Sequence, residues 1–315
     1  MSPIFLSLKR AKKLGQAVLL VSVLGGGQAW ASTVAVTDHV STFGTLEAFN
    51  GGVLSDATYD QQTGQGADDF VGDGTNGYYG FYLKGGKIDG VDSLIFRFRL
   101  NELTLQQGTP KFSGNIRIGV DGDGDGDVDL YFGISTGQGQ TPVIVFQNPT
   151  GTATNANTSP STSSLGTSYG TIATDASNYS YIQANDGSSY ATNKPDQPNP
   201  DAFLTFAVSF STFKTYLEAQ LAGKTITLDS YLRFVAFSST QGNAVNQDVY
   251  GLGPLSNSTN AGTRFDQGGG FTNFYNGSGG VIPEASTALQ AGAFMMVGLG
   301  IATRRRHWLT RRAGA

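Results

Sequence analysis

The residues best suited to chemistry lie between positions 121 and 129, where aspartate occupies every second position of DGDGDGDVD. Carboxylates at this spacing repel one another unless a cation or water lies between them. Oxygen ligands at this density suit calcium, a hard cation that binds about six to eight of them. The sequence therefore predicts a calcium site whose ligands are Asp121, Asp123, Asp125, Asp127 and Asp129.

The run fits the register of an EF-hand loop, which has its first ligand at position 1, a glycine at position 6 and a bidentate glutamate at position 12. With Asp121 at position 1, Gly126 falls at position 6 and Phe132 at position 12, so the glutamate is missing. The pattern resembles the DxDxDG loops of thrombospondin type 3 repeats and dockerins, which implies calcium binding. A further carboxylate is expected from elsewhere, the candidates being Asp68, Asp69, Asp73 and Asp248. The alternative is a solvated acidic turn without a fixed ion.

Hydrophobic residues alternate on both sides of the run, in FSGNIRIGV (112–120) and VDLYFGI (128–134). A period of two predicts half-buried strands, with the aspartates at the tip of their hairpin. Similar patterns predict strands at 33–40, 78–83, 94–100, 142–147, 179–183, 202–210, 225–228 and 231–239. We expect a short helix from Ser211 to Leu221, ended by Gly223, and a polar loop over 148–168. The predicted fold is mainly β: one antiparallel β-sandwich over 32–275, of jelly-roll, Ig-like or lectin-like type.

The first 31 residues have the three parts of a secretory signal peptide. A basic segment at 9–13 precedes an apolar core at 17–24, and Ala29 and Ala31 place small residues at a cleavage site. Because the apolar run is well short of the roughly 20 residues that span a bilayer, cleavage by signal peptidase is favoured over a membrane anchor.

The C-terminal end carries a second targeting pattern. A Gly-rich linker and short polar motif (276–287) precede an apolar segment (288–303) and a basic tail (304–315), which predicts a transmembrane helix with its basic end in the cytoplasm. The tail resembles the PEP-CTERM sorting domain of exosortase substrates in Ile282, Pro283, Glu284, Ser286 and Thr287, whereas Ala285 replaces the family's second proline. The resemblance implies processing near Pro283 and Glu284, followed by display at the cell surface or release. An ordinary single-pass anchor is the alternative.

Composition limits the partners of the body between these ends. All 24 acidic residues but only 11 of the 20 basic ones lie between residues 32 and 284, which gives a formal charge of −13. Nucleic acid binding is disfavoured because it requires a basic surface. The chain has no cysteine, so an exported form has no disulfides, and its stability depends on core burial and bound ions.

Two short motifs suggest enzymes but lack the necessary context. GTSYG (166–170) matches a nucleophile elbow, which needs a strand before it, a helix after it and a downstream histidine. GDGTNG (72–77) matches a dinucleotide fingerprint, yet an aromatic strand pattern follows it where a helix is required. With His39 and His307 as the only histidines, zinc catalysis is disfavoured, although paired carboxylates leave a glycoside hydrolase open. We therefore expect no enzymatic activity.

The sequence thus predicts an exported, exosortase-sorted protein of the cell surface or extracellular matrix, with a structural or adhesive role and a calcium-stabilised hairpin. Extracellular polysaccharide is a possible partner. The alternative is a calcium-dependent, lectin-like glycan-binding sandwich, in which tyrosines would stack on sugars: Tyr78, Tyr79, Tyr179, Tyr181 and Tyr190.

Overall fold

The computed structural model describes residues 35–36, 44–45, 56, 66–72, 79–137, 141–149, 165–184, 200–240, 242, 247–251, 271–272 and 275. The predicted signal peptide, with Ala29 and Ala31, and the C-terminal sorting segment, with Pro283 and Glu284, lie outside these residues. Within the described part of the chain, no helix has the length and apolar character needed to cross a membrane.

The described residues form antiparallel β-sheets and one α-helix. The strands are β1 Gly44–Thr45, β2 Phe81–Ile88, β3 Val91–Leu100, β4 Leu105–Gln106, β5 Thr109–Pro110, β6 Asn115–Asp121, β7 Leu130–Ser135, β8 Val143–Pro149, β9 Leu165–Ala173, β10 Tyr179–Gln183, β11 Ala202–Ser209, β12 Arg233–Ser239 and β13 Asp248–Val249. The first large sheet has the order β1-β2-β3-β11-β10 and the second β13-β12-β6-β7-β8-β9, while β4 and β5 form a separate hairpin.

Aromatic side chains join the inner faces of the two large sheets. Phe96 of β3 lies 5.2 Å from Phe132 of β7 and 5.6 Å from Phe234 of β12, measured between ring centroids. Edge-to-face contacts of this kind add to the free energy gained by burying apolar area. The predicted mainly β fold is confirmed, and its two sheets pack face to face as in a β-sandwich.

The expectation that these strands are solvated on one face is wrong for β3. Arg97 and Arg99, on the face away from the main core, are 1% and 0% exposed. Arg97 donates to the carbonyl oxygen of Val36 at 3.0 Å, and Arg99 pairs with the buried Asp201 at 3.2 Å. Val36, itself buried, therefore helps to cover a face that alternation alone assigns to solvent.

The helix α1, Phe210–Gln220, connects the first sheet to the second. Its N-cap is Ser209, two residues before the predicted Ser211, and the Ser209 hydroxyl accepts the N–H of Thr212 at 3.2 Å. The helix buries Phe213 and Leu217 in the main core. Leu217 and Leu221, at the end of α1, lie close to Gly122 of the aspartate loop.

Two further local predictions also differ from the structure. The stretch 225–228, predicted as a strand, is irregular because Ile226 donates its N–H to Glu218 of the helix at 2.6 Å. Part of the predicted polar loop, from Leu165, belongs to β9, which pairs with β8. Backbone pairing with an established neighbour outweighs the low strand propensity of a Gly- and Ser-rich sequence.

Candidate metal centre

The aspartate loop closes the β6–β7 hairpin in the second sheet. The two strands are in register up to the pair Val120–Leu130, and the N–H of Asp129 donates to the carbonyl oxygen of Val120 at 2.7 Å. Asp121 ends β6, and Asp129 directly precedes β7. The loop therefore begins and ends on two hydrogen-bonded strands, which hold its first and last carboxylates close together.

Three of the five predicted ligands converge. Asp121, Asp123 and Asp129 each offer a carboxylate oxygen, and these oxygens all lie within 4.8 Å of one another. Asp121 is buried, Asp129 is half-buried and Asp123 is exposed. The group could hold a metal ion that is reached from solvent on the side of Asp123.

The Asp121 carboxylate organises the loop backbone. Its Oδ1 accepts the N–H groups of Asp123 at 3.2 Å and Gly124 at 2.6 Å, and its Oδ2 accepts the N–H of Gly126 at 3.0 Å. Gly124 and Gly126 adopt φ angles of 84° and 92°, which glycine tolerates best. The alternation of aspartate and glycine is thus required by the turn itself as well as by any cation.

Arg233 supplies a positive charge that the motif does not contain. It lies opposite Asp121 in the β12–β6 pairing, and its Nε donates to Asp121 Oδ2 at 3.0 Å while its Nη2 donates to the same oxygen. Its guanidinium carbon also lies 4.9 Å from the ring centroid of Phe271. Because a buried carboxylate is costly unless it is paired, the contact with Arg233 offsets the cost of burying Asp121.

The end of the helix approaches the loop from the other side. Lys224, just after α1, places its Nζ 3.3 Å from Asp123 Oδ2. A Cβ added to Gly122 would lie 2.7 Å from Leu221 Cδ1 and 3.2 Å from Leu217 Cδ1, so a side chain at this position would displace the two leucines. A change in the conformation of the loop would therefore displace the end of the helix.

Asp125 and Asp127 lie outside the converging group. Asp125 is exposed, and its Oδ1 accepts the N–H of Asp127 at 2.8 Å. The N–H of Asp125 in turn donates to Asp123 Oδ1 at 3.2 Å. In each of these contacts an aspartate side chain accepts the backbone N–H two residues further along the loop. Asp125 and Asp127 are therefore not part of the group formed by Asp121, Asp123 and Asp129.

Burial raises the pKa of Asp129 to about 6. The N–H of Gly122, 2.7 Å from Asp129 Oδ2, opposes this rise in pKa, whereas the charges of Asp123 and Asp121 add to it. A cation bound among these oxygens would stabilise the ionised form of Asp129 and return its pKa toward the ordinary range.

Three of the four carboxylates expected to complete the site, Asp68, Asp69 and Asp248, lie elsewhere. Asp248 pairs with Ser238 on β12, and the backbone carbonyl of Asp68 accepts from the Ser238 hydroxyl. Ser238 is five residues along β12 from Arg233, the neighbour of Asp121. At about 3.3 Å per residue this separation is roughly 16 Å, too far for a shared ion. Asp69 is adjacent to Asp68 along the chain, and Asp73 lies outside the described residues.

The sequence patterns did not identify Arg233 and Lys224 as part of the site. The usable signal was Arg233 itself, a single charge inside the apolar run YLRFVAF, because an arginine between buried residues requires a partner. No comparable signal marked Lys224, whose approach depends on where the helix ends.

The remaining sequence candidates do not form a second site among the described residues. GTSYG lies within β9 and has no strand–turn–helix arrangement around it. Tyr181 is buried, and Tyr79 packs against Tyr82 with a centroid distance of 6.2 Å. Tyr78, Tyr190 and His39 lie outside the described residues.

Comparisons with protein-family models, with curated proteins and with solved structures give no significant match to this chain. The class defined by the fold and the site is therefore an antiparallel β protein with a candidate cation-binding hairpin loop.

Proposed function

We propose that this chain is an exported structural or adhesive protein of the cell surface or extracellular matrix, stabilised by calcium at the aspartate loop. The observation that carries the proposal is the convergence of Asp121, Asp123 and Asp129 at a hairpin tip that also contacts β12 and the helix end. A cation bound there would link the hairpin tip, β12 and the end of the helix. This role stabilises the fold and requires no substrate.

Calcium suits the chemistry of this group better than other common cations. The ligands are carboxylate oxygens, whereas zinc sites in proteins usually contain histidine or cysteine. The five loop aspartates outweigh Arg233 and Lys224 in formal charge, so a divalent cation relieves their remaining repulsion. Without a bidentate glutamate, we expect a dissociation constant of about 10⁻⁴ to 10⁻³ M, as in extracellular modules.

Export and sorting rest on the two ends of the sequence. The signal-peptide pattern ending at Ala31 and the PEP-CTERM-like tail with Pro283 and Glu284 imply signal peptidase and exosortase as processing partners. The mature body would then lie at the cell surface or outside the cell, where calcium is available. Small exported proteins are often stabilised by disulfides, which this chain cannot form because it has no cysteine. A sandwich of the jelly-roll, Ig-like or lectin-like type fits this setting, and extracellular polysaccharide is the partner we expect.

Two of the tyrosines named as candidates for stacking on sugars, Tyr181 and Tyr179, favour the structural role over glycan binding. The Tyr181 hydroxyl accepts the N–H of Thr104 at 2.9 Å and donates to the carbonyl oxygen of Glu102 at 3.0 Å. Tyr179 packs against the main core. Both rings therefore contribute to packing, and Tyr181, only 6% exposed, leaves no open face on which a sugar could stack.

The calcium proposal is tested by titration calorimetry and thermal melting of the purified protein in 5 mM calcium and in chelator. Binding with the expected dissociation constant stabilises the fold by about 1–2 kcal/mol. This corresponds to a melting temperature about 2–8 °C higher for a domain of this size.

Two matched variants locate the ion. Asp129→Asn keeps an oxygen for the Gly122 N–H but removes the charge, and we expect it to abolish most of the calcium effect. Asp125→Asn alters an exposed carboxylate outside the group and should retain that effect. No heat and no shift in melting temperature for the wild-type protein would refute calcium binding.

Sorting is tested separately, by following processing of the full chain in its host. A Pro283→Ala, Glu284→Ala variant should accumulate unprocessed in the cell envelope. Ala285→Pro restores the family pattern and should be processed normally. Normal release of the double variant would refute recognition by exosortase.

A further inference from the structure

A short segment, residues 66–72, links the two sheets at the end opposite the aspartate loop, and we call it the strap. On the side of the first sheet, Val71 donates its N–H to the carbonyl oxygen of Arg99 at 3.1 Å, and Asn101 donates its N–H to that of Asp69 at 2.9 Å. The strap thus follows the end of β3 as an additional backbone neighbour.

On the side of the second sheet, the same segment contacts β12 and β13. The Ser238 hydroxyl of β12 donates to the carbonyl oxygen of Asp68, and Asp248 of β13 accepts the N–H of Phe70 at 2.7 Å. Phe70 itself is fully buried, with its ring centroid 5.5 Å from that of Phe98. Release of the strap would therefore open the main core at this end of the molecule.

The Asp68 side chain is buried beneath the strap. The residue is 3% exposed, and its Oδ1 has no hydrogen-bond partner among the described residues. A Cβ added to Gly114 would lie 1.9 Å from that oxygen, so the carboxyl fills the space left by the missing side chain. The site accommodates the shape of the carboxyl group without providing a donor to Oδ1 or a counter-ion.

The titratable groups around Asp68 do not favour its negative charge. Asp69 follows it on the strap, Asp248 lies on β13, Glu102 follows β3, and Tyr181 faces it from β10. No basic side chain forms an ion pair with Asp68 in the described part of the chain. Burial raises the pKa of Asp68 to about 7.

We propose that Asp68 is a proton-operated latch: a neutral Asp68 lets the strap close this end of the sandwich, and ionisation of Asp68 loosens the strap. In the closed state the carboxyl keeps its proton up to about pH 7, whereas in the open state it has the ordinary pKa of 3.8. The closed state therefore binds more protons between these values, and closure weakens as pH rises. By linkage, the opening constant increases about 50-fold from pH 5 to 7 and only about twofold from pH 7 to 8.

Hydrogen exchange of the full chain between pH 5 and 8, corrected for intrinsic rates, measures this opening. We expect the amides of Phe70, Val71 and Asn101 to lose protection by about 50-fold between pH 5 and 7. Peptides from β8 serve as the internal reference and should change much less. An equal change in both regions would show that Asp68 titrates only on global unfolding and would overturn the latch.

Two variants assign the effect to one carboxyl. Asp68→Asn mimics the neutral acid, so the strap amides should show no pH dependence beyond intrinsic exchange. Glu102→Gln changes a nearby, partly exposed acid and should retain the full effect. If Asp68→Asn does not fold, assigned carboxyl ¹³C NMR of the wild-type protein decides: an Asp68 carboxyl that titrates near pH 7 supports the latch, and one that titrates near its ordinary pKa of 3.8 overturns it.

Discussion

The Asp121–Arg233 pair gives the sharpest test of how the aspartate loop is held. Replacing Arg233 by methionine removes the guanidinium from a carboxylate that is 0% exposed. Breaking one side of a buried ion pair costs about 3–5 kcal/mol, because the remaining charge is left buried. The backbone N–H groups of Asp123, Gly124 and Gly126 still bind Asp121, so we expect the lower value, about 3 kcal/mol.

For a domain of this size the loss corresponds to a fall in melting temperature of about 6–12 °C in chelator, measured by circular dichroism. Calcium should restore part of the stability, because a cation near Asp121 replaces the missing positive charge. The increase in melting temperature on adding 5 mM calcium should therefore be larger in Arg233→Met than in the wild-type protein.

A double-mutant cycle separates the pair from the packing of the arginine stem. Asp121→Asn removes the other charge, and the double variant should lose clearly less than the sum of the two single variants. Arg233→Lys, which keeps the charge but not the forked geometry, should fall between Arg233→Met and the wild-type protein. A melting temperature for Arg233→Met within 2 °C of wild type in chelator, with additive effects in the cycle, would refute the reasoning.

Three further changes probe the loop and the core. Lys224→Met removes the ammonium that competes for Asp123, so calorimetry should show a calcium dissociation constant lower by up to about fivefold. The pair is partly exposed, which limits the effect, and weaker calcium binding would contradict this expectation. Gly133→Ala places a Cβ 2.1 Å from the carbonyl oxygen of Ile116 and should lower the free energy of unfolding, measured in urea, by about 1–3 kcal/mol. An unchanged urea midpoint would show that β6 and β7 can move apart to accept the methyl group. Phe132→Ala empties the centre of the aromatic core and should cost about 3–5 kcal/mol, with a cost below 1 kcal/mol counting against the packing described.

Local patterns predicted much of the fold. The period of two placed Phe96 and Phe132 on inner faces, and the structure confirms both in the core. The helix was predicted to within two residues because capping and helical spacing are local properties. Predictions failed where the partner decided the outcome: β9 forms by pairing with β8 despite its polar sequence, and Ile226 is held by Glu218 outside any strand.

Within the candidate site, the sequence by itself determined the alternating carboxylates and the glycines that let the backbone turn between them, because both depend on neighbouring residues. Only the tertiary structure decided that Asp121, Asp123 and Asp129 converge while Asp125 does not. It also brought in Arg233, 112 residues from Asp121 along the chain. Contacts across strands depend on register and strand order, which no local period specifies.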